Sequence, residues 1–128
     1  KLISYLHEYA VKVFEDTHIE LHFPLSNDLP NKILKGENRL TVLHVFKEAL
    51  NNIQKHAKAS EVHITVTTTS KIATIFIEDN GIGFDPSLLL NSSGNGLTNM
   101  QERLQELKGS CEIKTNITGT TIRLSFPI

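Results

Sequence analysis

The sequence contains one cysteine, one methionine and no tryptophan among its 128 residues. Its single cysteine, Cys111, excludes an intrachain disulfide, and the sequence shows no set of zinc ligands. A lone cysteine also fits a reducing compartment, so we expect a cytoplasmic setting. The initiator methionine is missing too, and we therefore expect the chain to be a piece of a longer protein.

Excess charge of either sign is also absent. Thirteen Lys and Arg stand against fourteen Asp and Glu, for a formal net charge of −1. Without a basic run, direct binding to nucleic acid or to an anionic membrane is not expected. No apolar run approaches the roughly 20 residues of a membrane helix, and the acidic residues of the amino-terminal stretch argue against a signal peptide.

The composition, with 39% hydrophobic and 21% charged residues, predicts one globular domain over residues 1–128. Hydrophobic periodicity predicts an order of helix, strand, helix, hairpin, loop, helix and hairpin. Two consecutive hairpins argue against a repeating βαβ sheet. We therefore predict an α+β fold, a two-layer α/β sandwich with a mixed sheet and helices on one face. The predicted segments are helix 2–16, strand 19–23, connection 24–37, helix 38–58, strands 62–68 and 72–79, helix 97–107 and the closing hairpin 111–126.

The stretch EALNNIQKHAKAS places Asn51 and Asn52 inside the longest helical pattern, although asparagine is a mediocre helix former. At 100° per residue, Glu48, Asn52 and Lys55 share one stripe. Carboxylate and amide oxygens suit Mg²⁺, and a lysine suits phosphate. The alternative is that this stripe is simply the solvated face of the helix.

Two glycine-containing stretches follow the longest helix. In DNGIGFD, Asp79 ends an apolar strand and could accept from a base amino group, while Gly81 and Gly83 allow unusual backbone shapes and close approach to a ligand. In SSGNGLTNM, Gly94 and Gly96 open a helix whose amino terminus suits phosphate. Each stretch alone is equally compatible with an ordinary turn or helix cap.

The six histidines are scattered along the sequence, and no pair has metal-like spacing with a third ligand. One of them, His7 in LHE, resembles a phosphoacceptor box, but no second long helix follows it. The six are His7, His18, His22, His44, His56 and His63.

The order of the motifs is more specific than any one of them. Glu48-x-x-x-Asn52, Asp79-x-Gly81-x-Gly83, Gly94-x-Gly96 and the late GTT resemble the Bergerat-fold ATP-binding domain of gyrase, heat-shock chaperone, histidine kinase and mismatch-repair ATPases. The wording is most similar to the catalytic domain of nitrate-sensor-type two-component sensor histidine kinases. This resemblance covers about residues 2–128.

The resemblance implies ATP and Mg²⁺ as cofactors. It implies that Asn52 ligates the magnesium ion, that Glu48 acts catalytically on a water or the metal shell, and that Lys55 and His56 face the phosphates. Asn51 receives no role and is expected to be a helix-surface residue.

The same resemblance implies the remaining nucleotide contacts. Asp79 would bind the adenine amino group with help from Thr120, and Gly81 and Gly83 would let the chain pass the base. Residues 85–95 would form an ATP lid. Its end and the start of the next helix would supply the phosphate contacts Gly94, Asn95, Gly96 and Leu97.

The resemblance also implies partners. The acceptor histidine would lie on an upstream dimerisation domain that ends where the helix at 1–16 begins, so this piece should not phosphorylate itself. We expect a monomeric fragment, a homodimeric bacterial parent and a response regulator with a helix-turn-helix output domain. The alternatives are a serine kinase of the anti-sigma-factor kind and a non-catalytic nucleotide-binding or interaction module.

Overall fold

The computed structural model describes residues 2–24, 37–82 and 96–128, without the side chains of residues 37, 97 and 98. Several predicted features lie outside the described residues: most of the connection at 24–37, the lid at 85–95, and the site candidates Gly83, Gly94 and Asn95.

The described elements follow the predicted order of helices and strands. Helix α2 continues directly into a π-helical turn, which the sequence did not predict. No helix within these ranges is long and apolar enough to cross a membrane. The elements are α1 (Leu2–Phe14), β1 (Glu20–His22), α2 (Glu37–Asn52), the π-helical turn (Ile53–Ala57), β2 (Glu61–Thr68), β3 (Ile72–Asp79), α3 (Gly96–Glu106), β4 (Ser110–Asn116) and β5 (Gly119–Pro127).

The five strands form one mixed sheet in the order β1-β2-β3-β5-β4. Strands β1 and β2 run parallel, and the other neighbouring pairs are antiparallel. Alternation along each strand gives the sheet a buried inner face and a polar outer face. The inner face carries the buried residues Val62, Ile64, Ala73, Ile75, Ile77, Ile122, Leu124 and Phe126.

The helices cover the inner face, with α1 and α3 both packed against α2. Helix α2 buries a broad apolar face, which consists of Val42, Val45, Phe46, Ala49 and Leu50. Complete burial of a side chain such as Phe46 contributes about 1.5–3 kcal/mol. The two-layer α/β sandwich predicted from the sequence is therefore confirmed.

Candidate functional site

Three polar residues are buried among those that the structure describes: Asn52, Asp79 and Thr120, with 8%, 8% and 2% of their surface exposed. A polar group is costly to bury unless it is hydrogen-bonded or serves a ligand. Each of the three comes from a different sequence motif, and each is a predicted site residue. Burial therefore distinguishes three of the predicted site residues.

The β-ladder brings Asp79 and Thr120 side by side. They are register partners on β3 and β5, so both side chains lie on the inner face. The hydroxyl of Thr120 is 2.9 Å from the hydroxyl of Thr115. Gly119 has φ of +144°, and a Cβ there would overlap the carbonyl oxygen of Asp79. The start of β5 is thus held tightly against the end of β3.

Among the described residues, hydrogen-bond partners satisfy only one oxygen of the Asp79 carboxylate. Its Oδ1 accepts a hydrogen bond from the backbone N–H of Gly81 at 2.8 Å. Its Oδ2 is buried and has no hydrogen-bond partner within the described ranges. Burial raises the pKa of Asp79 above its ordinary value of 3.8, while the backbone amides of Gly81 and Thr120 act in the opposite direction. The site therefore contains an unused acceptor.

The π-helical turn, which Asn52 directly precedes, contacts the chain just after the end of β3. The carbonyl oxygen of Ala57, at the end of the turn, accepts a hydrogen bond from the N–H of Ile82 at 2.9 Å. A Cβ at Gly81 would overlap that same carbonyl oxygen, so only glycine fits there. Asn52 directly precedes the turn and makes no capping hydrogen bond to it. Single π-helical turns are frequent at functional sites.

The predicted stripe of Glu48, Asn52 and Lys55 runs from an α-helix into a π-helical turn. Glu48 and Asn52 lie one α-helical turn apart, but Lys55 and His56 follow inside the π-helical turn, where 100° per residue no longer holds. Glu48 is half-buried, and Lys55 and His56 are exposed. The sequence could not reveal this change of helix type, because the stretch carries no proline or glycine.

Two of the predicted glycines, Gly81 and Gly96, lie at the ends of described ranges. Gly96 begins α3, as the sequence predicted, but the side chain of its neighbour Leu97 is not described. The backbone at Gly81 closely approaches the carbonyl oxygen of Ala57. The role of Gly81 is therefore to seat the π-helical turn on the end of β3.

Asn80 is a positioning residue that the sequence reasoning missed. Its Oδ1 accepts hydrogen bonds from the N–H groups of Ser60 and Glu61, both at 2.9 Å. Its Nδ2 donates to the hydroxyl of Ser60 at 2.8 Å. Asn80 thereby ties the start of β2 to the residue that follows Asp79. An asparagine directly after a strand, a typical turn signal, could have indicated this role.

Asn51 also has a role that the sequence did not assign. The hydroxyl of Tyr9 on α1 donates a hydrogen bond to its Oδ1 at 3.4 Å. On the same side of α2, the ammonium of Lys47 lies 5.1 Å from the ring centre of Tyr9 and 5.9 Å from that of Tyr5. Asn51 therefore faces the leading helix, while Asn52 is buried at the site.

The expectation that the histidines have no metal-like arrangement is wrong for one pair. His22 and His63 lie at the same register on neighbouring parallel strands, and Glu61 lies between them. Spacing along the sequence could not predict this pair, because it depends on the pairing of two strands that are far apart in the chain.

The family model described as "Histidine kinase-, DNA gyrase B-, and HSP90-like ATPase" matches residues 37–128. The chain belongs to this ATPase family. The matched range contains α2, the whole site and all strands except β1.

Curated relatives of this ATPase domain include sensor kinases. The chain is 39% identical over 133 residues to the signal transduction histidine-protein kinase/phosphatase DegS of Brevibacillus brevis, covering 99% of this chain and 32% of the relative. It is 31% identical over 109 residues to the nitrate/nitrite sensor protein NarX of Escherichia coli K12, covering 84% of this chain and 18% of the relative. The chain thus spans about a third or less of these relatives.

Solved structures share the fold of the ATPase domain. The histidine kinase domain of the Erythrobacter litoralis EL346 blue-light activated histidine kinase matches with a TM-score of 0.77 and 20% identity, over 98% of this chain and 60% of that one. The Acinetobacter baumannii histidine kinase AdeS matches with a TM-score of 0.75 and 18% identity, over 97% of this chain and 64% of that one.

Proposed function

We propose that this chain is the ATP- and Mg²⁺-binding catalytic domain of a sensor histidine kinase, which supplies the γ-phosphoryl group to a histidine on an upstream domain. The observation that carries the proposal is the buried carboxylate of Asp79, whose Oδ2 has no hydrogen-bond partner among the described residues. In a chain of this ATPase family, an unused buried acceptor fits a nucleotide base.

The acceptor of Asp79 suits adenine. An ionised carboxylate only accepts hydrogen bonds, and the exocyclic amino group of adenine only donates. Guanine presents a carbonyl oxygen at that position, which would face the carboxylate with like partial charge. The hydroxyl of Thr120, buried beside Asp79, is placed to assist through a water molecule. This pair is our candidate for base recognition.

Asn52 and Glu48 fit a magnesium ion. An amide oxygen and a carboxylate, one α-helical turn apart, are the hard oxygen donors that Mg²⁺ takes in proteins. Bound there, the ion would neutralise phosphate charge, which is the main demand of phosphoryl transfer. We assign Asn52 as its ligand, Glu48 as the catalytic carboxylate, and Lys55 and His56 as phosphate contacts.

The glycine-rich segment completes the proposed site. Gly81 positions the strand end, and Gly83 follows it. Residues 85–95 are proposed as the lid, and the phosphate contacts proposed around its end are Gly94, Asn95, Gly96 and Leu97.

The histidine that accepts the phosphoryl group is proposed to lie outside this chain, since the chain spans about a third or less of its curated relatives. We propose that the parent protein is a bacterial homodimer and that this domain is cytoplasmic and monomeric when isolated. In the parent, the helix at 1–16 would connect this domain to the preceding dimerisation domain. The partner of the parent would be a response regulator with a helix-turn-helix output domain. The kinase and sensor names of the relatives favour this function over a serine kinase of the same fold or a non-catalytic module.

The experiment is phosphoryl transfer from labelled ATP to the parent protein and to this chain alone. We expect a labelled histidine in the parent and no label on the chain alone. Asn52→Asp in the parent should abolish labelling at a magnesium concentration that supports the wild type. Asn51→Asp is the matched control, because Asn51 faces Tyr9 and the carboxylate of the introduced aspartate can still accept the hydrogen bond from Tyr9. A label on His7, or an unchanged Asn52→Asp parent, would contradict the proposal.

A further inference from the structure

Four charged or titratable side chains meet on the outer face of the sheet, where β1 and β2 run parallel. The register pairs Glu20 with Glu61 and His22 with His63. Residues two apart on a strand, and register partners on neighbouring strands, share one face. The residue between the two pairs, Val62, is buried on the opposite face. We call these four residues the β1–β2 cluster.

The nitrogen and oxygen atoms of the cluster converge. His22 Nε2 lies 3.5 Å from a carboxylate oxygen of Glu20 and 3.6 Å from one of Glu61. His63 Nε2 lies 3.9 Å from the other carboxylate oxygen of Glu61. One ligand atom from each of His22, Glu61 and His63 falls within 4.8 Å of the others. The two imidazole rings stack nearly parallel, with centres 4.3 Å apart.

One nitrogen in this cluster lacks a partner. His22 Nε2 is buried, although 38% of the side chain is exposed. This nitrogen neither donates nor accepts a hydrogen bond within the part of the chain that the structure describes. The two carboxylates nearest to it are at ion-pair distance only. A buried polar atom left in this state costs free energy, so the arrangement is better satisfied by a ligand that all three side chains can reach.

We propose that the β1–β2 cluster binds a divalent transition-metal ion, with zinc as its simplest occupant. His22, His63 and Glu61 are the ligands, and Glu20 or a water molecule fills the fourth position. Two imidazole nitrogens with carboxylate oxygens form a donor set that zinc takes in tetrahedral geometry. Imidazole nitrogens also disfavour magnesium, which prefers oxygen ligands. The site is therefore chemically distinct from the one proposed around Asn52.

To close on an ion, the stacked imidazole rings must tilt towards each other, because their Nε2 lone pairs lie in nearly parallel planes, whereas the nitrogen-to-oxygen separations need only small changes. Zinc bonds of 2.0–2.1 Å in a tetrahedron put neighbouring ligand atoms about 3.3 Å apart. The observed separations of 3.5 to 3.9 Å are close to that value. The side chains of His63 and Glu61 are 52% and 43% exposed, so they can turn without disturbing the core. Glu78, the β3 partner of His63, adds a further carboxylate on this face.

A bound ion would fasten the shortest strand of the sheet. Strand β1 has three residues and pairs only with β2 in the described structure. A metal held from both strands would therefore resist separation of β1. It would stabilise the folded state by mass action, as any ligand of the native state does.

The test is a titration of the 128-residue chain with zinc, without nucleotide, at about pH 7.5, where imidazole is largely neutral. We expect one equivalent of zinc to bind and to raise the thermal unfolding temperature. A large excess of Mg²⁺ should not displace the bound zinc. His22→Ala, His63→Ala and Glu61→Gln should each weaken binding at least about tenfold, since removal of a ligand is more severe than removal of an outer-shell partner. Cobalt in place of zinc should give the strong visible absorption of a tetrahedral site.

The matched control is His44→Ala, because His44 is an exposed histidine on α2, in the helix layer. It should bind zinc like the wild type. Asn52→Asp should do so as well, which separates a failure of this inference from a failure of the proposed ATP site. Absence of saturable zinc binding would overturn the proposal. So would equal affinity in wild type and His22→Ala, displacement of zinc by magnesium, or a comparable loss in His44→Ala.

Discussion

The two ends of strand β3 differ in whether their polar side chains find hydrogen-bond partners. At its start, the side chain of Thr69 accepts hydrogen bonds from the N–H groups of Ile72 and Lys71, at 3.0 and 3.3 Å, and the N–H of Thr69 bonds the carbonyl of Ile72 at 2.8 Å. At its end, Asp79 leaves Oδ2 buried without a partner in the described structure.

We interpret the first turn as one that serves the fold and the second as one that serves the proposed nucleotide. The first turn satisfies its own donors and acceptors and is exposed to water. The second is packed against the π-helical turn through Gly81 and keeps one buried acceptor open. If this interpretation is right, substitutions at the two ends should affect stability and nucleotide binding differently.

Gly81→Ala should have the largest effect. The added methyl group would overlap the carbonyl oxygen of Ala57, which is backbone and cannot turn away. We expect a loss of about 1–3 kcal/mol in the free energy of unfolding, as for overpacking in a core. We also expect at least tenfold weaker ADP binding, because the end of β3 must shift. Urea unfolding and calorimetry measure the two effects.

The neighbouring variant Ile82→Ala is the control for Gly81→Ala. The side chain of Ile82 is 57% exposed, so its truncation should change stability by no more than about 0.5 kcal/mol. If Gly81→Ala were as stable as this control, the tight contact with Ala57 would not constrain the site.

Asp79→Asn should mainly damage nucleotide binding. The asparagine oxygen can keep the hydrogen bond from Gly81, but its amide nitrogen would then face the amino group of adenine, donor against donor. Since hydrogen bonds to charged groups contribute about 1.5–3 kcal/mol, affinity for ADP should fall roughly ten- to a hundredfold. Glu78→Gln removes the same charge from the adjacent exposed residue and should leave affinity unchanged. Equal losses in both variants would contradict base recognition by Asp79.

The pH dependence of stability should show the cost of the buried carboxylate. The folded-state pKa of Asp79 is raised above 3.8. Protonation of Asp79 therefore favours the folded state at a pH below 3.8, and this contribution to stability is lost as the pH rises through the folded-state pKa. At about pH 7, Asp79→Asn without ligand should therefore be at least as stable as the wild type, and the difference should narrow towards acid. Denaturant unfolding across this range tests it. A variant clearly less stable than the wild type at neutral pH would show that Asp79 serves the fold.

Thr69→Val should have the smallest effect. The valine keeps the β-branched shape but loses the oxygen that accepts from Lys71 and Ile72. Because the turn is exposed, water can replace these bonds, and we expect a loss of about 0.5–1 kcal/mol with unchanged nucleotide affinity. A change in affinity would mean that the two ends of β3 are not independent, which calorimetry on the variant would reveal.

Much of the fold was predictable because local patterns decide it. Periodicities of 3.6 and 2 located the helices and strands, and the burial of alternate residues in β2, β3 and β5 agrees with the period of two. The residue pattern also indicated Asn52 and Asp79, whereas Thr120 was indicated only by the family resemblance. Their roles as ligands remain predictions.

The rest depends on contacts between distant segments. No local signal gave the parallel pairing of β1 with β2, and without it His22 and His63 could not be placed together. The π-helical turn depends on the fit of Ala57 against Gly81, more than twenty residues later. The sequence does not reveal the contact of Asn51, because its partner, Tyr9, lies on another helix.

The most direct test of the account is calorimetric titration of the chain with ADP and a non-hydrolysable ATP analogue, with and without Mg²⁺, and with the guanine nucleotides for comparison. The account predicts saturable binding that is stronger with Mg²⁺ and that prefers adenine over guanine. Equal affinity for guanine, or no binding even at millimolar nucleotide, would contradict the assignment of Asp79 and Asn52 to an ATP–magnesium site.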